Sequence, residues 1–460
     1  MPISRAKRVK IKEKLFRSEV QMGRKQEREA ARKEKNALAE LCRVQRKFMP
    51  DLFDLFEKTA DPRNPCYVTY SNRMMLGQMY FKGIAGIVSM QGMTQAFNDK
   101  KVSGNLSNLM GCGKWKYLPH HVTENEYLER LDPGELEKVI WQTVYGLIRR
   151  RSFEDARYKK RWVVIFDATQ TYSGDRCING NCLERHYDRG TENEKVNYHV
   201  DVLEAKLWLG NGLVCSIGSE FIENDERYRQ MSDEKVKQDC ELRAFKRLAE
   251  KIRKRFPRLP VLLLADSLYA SKTVMETCER NGWEYLIRFK DGSIPYVADE
   301  WNAVPERERS GAAEYVNGIE YEGHFVNVLH YRDEKVRGGK TETTEFQWIT
   351  SMKVTKGNAE KMAGTGRLRW KIENVGFNRQ KNWDGDITHA CSHNANALKN
   401  HYLMRQISDF VRQLYEWHFL KRNGIKRAIK NISPVLLSCF GRRLTGGDIS
   451  EKRLDEPAFN

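Results

Sequence analysis

The fold turns on RWVVIFDATQTY, residues 161–172. From Trp162 to Phe166 the run is apolar and includes Val163, Val164 and Ile165. It reads as a strand buried on both faces, and it ends at Asp167. VLLLADSLYA, residues 261–270, repeats the design and ends at Asp266. Ligand chemistry in α/β sheets gathers past the carboxyl ends of strands. If these two strands lie side by side and parallel, the two carboxylates meet at that edge. Two such charges repel and are costly to desolvate, unless a divalent cation sits between them. Hard oxygen donors favour Mg2+ or Mn2+. Either aspartate alone could equally be a turn cap.

Working outward, YHVDVLEAKLWLG (198–210) and GLVCSIGSEFIEN (212–224) read as two strands of a hairpin turning at Leu209-Gly210-Asn211-Gly212. Ser232 to Phe256 reads as a long helix stopped by Pro257 and Pro260, with Cys240, Ala244, Leu248 and Ile252 on one face. After the second aspartate come a helix ending at Gly282 and the strand WEYLIRFK, residues 283–290. Residues 291–344 alternate short strands and glycine-rich turns, a β-rich insertion, and FQWITSMKV (346–354) returns to the main sheet. Residues 396–420 form a helix with a core stripe of Leu398, Tyr402, Leu403, Ile407, Phe410, Val411 and Leu414. Upstream, SNRMMLGQMYFKGIAGIVSM (71–90) is a helix capped by Ser71, carrying Leu76, Met79, Tyr80, Ile84, Ile87 and Val88. ELEKVIWQTVYGLIRRR (135–151) is a second amphipathic helix. The order of elements predicts a mixed α/β sheet with flanking helices, not a doubly wound nucleotide fold.

A third acid comes from RLRWKIENVGFNRQKN, residues 367–382, which reads as a helix. Its only carboxylate is Glu373, surrounded by Arg367, Arg369, Lys371, Arg379 and Lys381, with Trp370 and Phe377 between them. At helical spacing Arg369, Trp370, Phe377 and Gln380 share the glutamate's face. Phosphates suit the arginine, a splayed base suits the aromatics, and a metal suits the carboxylate. A plain i,i+4 salt bridge between Arg369 and Glu373 would explain that pair, but not the basic character of the rest.

The totals agree with a polyanionic partner. The 460 residues carry a net charge of +18, and residues 1–47 alone hold sixteen Lys and Arg against six Asp and Glu. Such a surplus points to nucleic acid or an anionic membrane. No apolar run reaches the roughly 18 residues that span a bilayer, and no apolar segment follows the basic start, so nucleic acid is the better reading. Ten scattered cysteines read as reduced thiols of a cytoplasmic protein.

With these motifs in hand, residues 160–415 resemble the DDE transposases of bacterial insertion sequences, on the ribonuclease H-like fold. FDATQ is similar to the first-aspartate motif, LLLADSLYAS to the second and RWKIENVGFNRQKN to the glutamate helix. The acids are 99 and 107 residues apart. Against one subgroup's Tyr-Arg-Glu-Lys signature, Arg369 and Glu373 match, while the outer positions hold Gly366 and Gln380, with Lys381 one further on. The resemblance implies catalytic, metal-binding Asp167, Asp266 and Glu373 around two Mg2+ or Mn2+ ions about 3.5–4 Å apart. Asp167 would bridge both ions. Arg369, Trp370 and Lys381 would contact DNA, and no covalent protein–DNA intermediate is implied. Its partners would be double-stranded transposon ends and target DNA, bound by a homodimer or larger assembly on the bacterial nucleoid. A non-cutting DNA-binding protein and a ribonuclease H-like nuclease without strand transfer are the alternatives.

The implied organisation is a basic arm (1–47), a helical DNA-binding or dimerisation domain (48–155), a catalytic domain (156–290 and 345–420) interrupted by the β-rich insertion (291–344), and a tail (421–460). Weaker signals are Cys177, Cys182 and His186, whose spacing suits a reduced loop better than structural zinc. Glu220, Glu223, Asp239 and Glu241 are possible auxiliary acids. His389 and His393 are possible phosphate contacts.

Overall fold

The computed structural model describes residues 36–224, 239–337, 340–442 and 444. Most of the basic arm, the start of the long helix expected from Ser232 and the last part of the tail lie outside the described residues.

The amino-terminal part is helical: α1 Ala37–Phe48, α2 Leu52–Glu57, α3 Asn72–Ile84, α4 Met90–Phe97, α5 Lys100–Leu109, α6 His121–Arg130 and α7 Pro133–Arg149. Ser71 caps α3 by accepting from Met74 N, and Pro133 stands where a helix tolerates it. Helix α3 stops at Ile84, so Val88 lies beyond the expected stripe and is exposed.

The sheet then begins. Its strands are β1 Trp162–Gly174, β2 Leu183–Tyr187, β3 Lys195–Trp208, β4 Val214–Ile222, β5 Val261–Ala265, β6 Glu284–Arg288, β7 Glu308–Ser310, β8 Ala313–Tyr321, β9 His324–Arg337 and β10 Lys340–Thr350. They run β2-β3-β1-β5-β6-β10-β9-β8-β7, with β4 also paired to β3. β4, β3 and β1 are antiparallel, then β5 and β6 run parallel to β1. Antiparallel strands come first and parallel crossovers after, as the order of elements predicts. The β3–β4 hairpin turns where expected, with Gly210, Asn211 and Gly212 all at positive φ.

The stretch read as a β-rich insertion is continuous with this sheet. β10 pairs β6 on one side and β9 on the other, and α10 Pro295–Ala303 precedes the strands. The segment between Ser232 and Phe256 shows its helix as α8 Glu241–Arg255; α9 Lys272–Asn281 ends at Gly282 at positive φ.

Helices α11 Ala359–Gly366, α12 Asn378–Asn382, α13 Ala395–Leu414 and α14 Ile432–Ser438 complete the chain. The expected stripe of α13 is buried, but so are Asn400, Arg405, Gln406, Ser408, Asp409, Arg412 and Gln413. Helix α13 is therefore enclosed on all sides, packing against α1, α3, α6, α7 and β4. Periodicity showed only its apolar face, because its polar face is buried by pairing rather than by solvation.

That pairing is ionic. Arg379 Nε lies 2.5 Å and Arg412 Nη2 2.7 Å from the two carboxylate oxygens of Asp384, and all three side chains are buried. Burial alone would raise the Asp384 carboxyl, but Arg379 and Arg412 outweigh it and hold it below the usual range. Gln380 donates to Asp409 (2.9 Å) and Gln406 (3.0 Å), tying the segment after Glu373 to α13.

Breaking a buried pair from one side leaves an uncompensated charge. Asp384→Asn is expected to lower unfolding free energy by about 3–5 kcal/mol in urea titrations. Glu345→Gln, which breaks the exposed Arg332–Glu345 pair, is expected to cost less than about 1 kcal/mol.

Candidate active site

The β1–β5 register pairs Trp162 with Val261 and Ile165 with Leu264. That offset is 99 residues, the same as the spacing of Asp167 and Asp266. The two aspartates therefore leave adjacent parallel strands at the same level, two residues past the last bridged pair. Asp167 is still within β1, opposite Glu204 of β3. Asp266 caps a short 3-10 turn, Ser267–Tyr269, accepting from Leu268 N at 2.9 Å.

Glu373 arrives from a segment that is not one regular helix. Residues Arg367–Arg369 form a 3-10 turn, Ile372–Phe377 a π-helix, and only Asn378–Asn382 an α-helix. Wide turns of this kind are rare and concentrate at functional sites. Asn374 Nδ2 donates to Trp370 O at 3.1 Å, occupying a carbonyl of the preceding turn. The expected shared face is consequently lost. Ile372, Phe377, Arg379 and Gln380 are buried, whereas the Glu373 side chain is 63% exposed. Arg379 belongs to the Asp384 network rather than to a DNA-facing surface.

Arg369 joins two of the three acids. Its Nη1 lies 3.3 Å from Asp167 Oδ2 and its Nη2 3.9 Å from Glu373 Oε2. Burial pushes the Asp167 carboxyl up to about 7; Arg369 pulls it down, while Asp266, Glu241 and Glu373 repel its ionised form. Burial pulls the Lys381 ammonium down, against the pull of Asp201, Asp167 and Glu373, so this lysine also faces the carboxylates. Trp370 is exposed, with Lys371 Nζ 4.2 Å above its ring.

Two residues join this group that the spacing of motifs did not single out. Buried Tyr269, three residues after Asp266, donates to Glu241 Oε1 at 2.6 Å. Asp201 of β3 lies beside His199, 3.1 Å from its Nδ1. Burial raises the Glu241 carboxyl, and Asp266 and Asp201 add to that. A tyrosine following a strand-end aspartate was the available signal for the first; nothing in the sequence marked Asp201.

The other weak candidates lie elsewhere. Glu220 and Asp239 pair with Arg247 at 2.5 and 2.6 Å, and Glu223 with Lys399 at 2.7 Å. His186 bonds Glu194 at 2.8 Å, apart from Cys182, which donates to Asn179. His389 and His393 are exposed on the loop before α13.

Among the described residues no three His, Cys, Asp or Glu side chains converge closely enough to chelate one ion. The donor chemistry nevertheless fits a hard divalent cation: the carboxylates around Asp167 repel one another, and Arg369 supplies the positive charge that offsets them.

Residues 237–405 match the family model described as "Transposase DDE domain". That span contains Asp266, Arg369, Glu373 and Lys381; Asp167 precedes it. No curated protein matches the chain. Among solved structures, one similar to it is a cryo-EM structure of the piggyBac transposase synaptic complex with hairpin DNA. The identity is 11% and the TM-score 0.40, covering 91% of this chain and 82% of that one. Among the described residues no helix is long and apolar enough to cross a membrane.

The raised Asp167 carboxyl has a stability consequence. The native state holds a proton that the unfolded chain releases near pH 4, so stability falls as pH rises from about 4 to 7. Asp167→Asn removes that slope. In urea titrations from pH 5 to 8 without divalent metal, the variant should be the more stable at pH 8, by roughly 1–3 kcal/mol.

Proposed function

We propose that this chain, whose residues 237–405 match a transposase DDE domain model, binds terminal inverted repeats, cuts the element ends and joins them to target DNA. The observation that carries this is the shared level of Asp167 and Asp266 on adjacent parallel strands, with Glu373 linked to Asp167 through Arg369. Asp167, Asp266 and Glu373 would hold Mg2+ or Mn2+. When bound, such ions polarise the phosphoryl group and lower the pKa of the attacking water or hydroxyl.

The chain's own groups orient the DNA. Arg369 carries a planar donor fork suited to a phosphodiester and stands between two of the acids. A phosphate arriving there would compete for the guanidinium and free the carboxylates of Asp167 and Glu373, which would then be available to hold a divalent cation. Lys381 adds a second positive charge on the same side. Exposed Trp370 offers a stacking surface for an unpaired base. Tyr269 and Glu241 brace the turn that carries Asp266. Residues 1–47, ten charges in surplus, would grip the phosphate backbone beyond the active site, and a homodimer or larger assembly would hold the paired ends.

The test is cleavage and joining of duplexes bearing the element's own ends, with Mg2+. Asp167→Asn and Glu373→Gln should each reduce cleavage by at least about 10²-fold while retaining end binding. Full activity in either variant would refute the assignment. Hydrolysis without joined products would select a nuclease, and binding without nicking a protein that no longer cuts.

A further inference from the structure

A cavity of about 40 Å³ lies between α3, the loop after the glutamate segment, and α13. It is large enough for a few waters or one small tetrahedral anion. Lys82 and Arg405 line it, and both are more than nine-tenths buried. Half-buried His401 and Cys391, together with Asp386 and Thr171, complete the part that matters here.

Its buried cation is incompletely hydrogen-bonded. The Lys82 ammonium can donate three hydrogen bonds. It makes one at 2.9 Å to Val88 O and a long contact of 3.7 Å to Cys391 Sγ. Burial draws it down to about 8, Cys391 acts against that, and Arg405 adds to it. Arg405 is occupied by the carbonyls of Asp384 (2.5 Å), Gly385 (3.0 Å) and Ile87 (3.4 Å). Desolvation and the positive charges of Lys82, Arg405 and His389 hold His401 well below its usual value. Asp386, the carboxylate lining the cavity, accepts from Thr388 N and Oγ1. Only one of the three Lys82 ammonium donors thus meets a protein acceptor at short range, which is unfavourable for a buried cation. An oxyanion in this cavity removes the penalty.

We propose that this cavity is an oxyanion site that takes a phosphate group, with Lys82 as its principal ligand. Thr171 lies four residues beyond Asp167 on β1, which places the cavity about 13 Å along the strand from the carboxylates. The phosphate is therefore one of the DNA strand held at the active site, away from the scissile bond. That assignment rests on the transposase reading, whereas binding of an oxyanion does not.

Two arms test it on the full chain. In the first, inorganic phosphate is titrated against a chloride control of equal ionic strength. Phosphate should raise the Tm of the parent and slow alkylation of Cys391, read by peptide mass spectrometry. Lys82→Met should bind it at least about tenfold more weakly. Equal shifts in both proteins, or no protection of Cys391 in the parent, would overturn the site. The protection experiment needs no variant, so a misfolded Lys82→Met leaves the proposal testable. In the second arm, end duplexes carry single neutral methylphosphonates in place of each phosphate in turn. One position should weaken binding by the parent but not by Lys82→Met. Phosphate binding without such a position would reassign the cavity to a free ion and overturn the DNA assignment. Failure of the chain to bind ends at all would refute the transposase reading while the first arm still decides the site.

Discussion

The structure depends on one buried carboxylate. Asp384 receives Arg379 from the glutamate segment and Arg412 from α13, and all three are shut away from water. A guanidinium buried alone would be prohibitive, and two around one acid still need further acceptors. Glu416 and Asp409 take up the remainder of Arg379, and Ser433 accepts from Arg412. The result is a fixed joint between the segment that carries Glu373 and the helix at the centre of the molecule. Because α13 also packs against the amino-terminal helices and β4, that joint relates the third acid to the strands carrying the other two.

At the other end of the same segment the logic is reversed. Asp167, Asp266, Glu241 and Glu373 bring negative charge together without enough partners, and Arg369 alone links two of them. Satisfying every acid there would make a more stable protein with less attraction for a cation. A single shared guanidinium leaves that edge underneutralised, the electrostatic condition that suits the proposed cation-dependent chemistry. The contrast between a saturated joint and an unsaturated edge, six residues apart along the chain from Glu373 to Arg379, is how the fold separates support from chemistry.

The two strand-end aspartates were legible because burial on both faces writes a continuous apolar run, and the run stops where the carboxylate begins. Their common level was not: the spacing of 99 residues is in the sequence, but the equal offset of β5 on β1 is a register that only the paired strands show. Ser71, Gly282 and the Gly210–Gly212 turn announced themselves through backbone chemistry that few other residues satisfy. Arg379 was not legible. A cation among cations reads as surface, and its partners Asp384 and Glu416 are distant from any pattern of period 3.6. The polar face of α13 was hidden for the same reason, and the irregular turn at Ile372–Phe377 has no compositional mark beyond a glycine.

That irregular turn decides which side chain meets solvent. In a continuous α-helix, residues seven apart share a face. Gln380, seven residues after Glu373, is fully buried against Asp409 and Gln406. A regular winding would have carried Glu373 into the protein interior with it. The widened coil acts as a phase offset, equivalent to one additional residue slipped into the spiral. Excising a residue between Val375 and Asn378 would restore the ordinary pitch and force a choice between the joint and the acid, since both could no longer be oriented as they are.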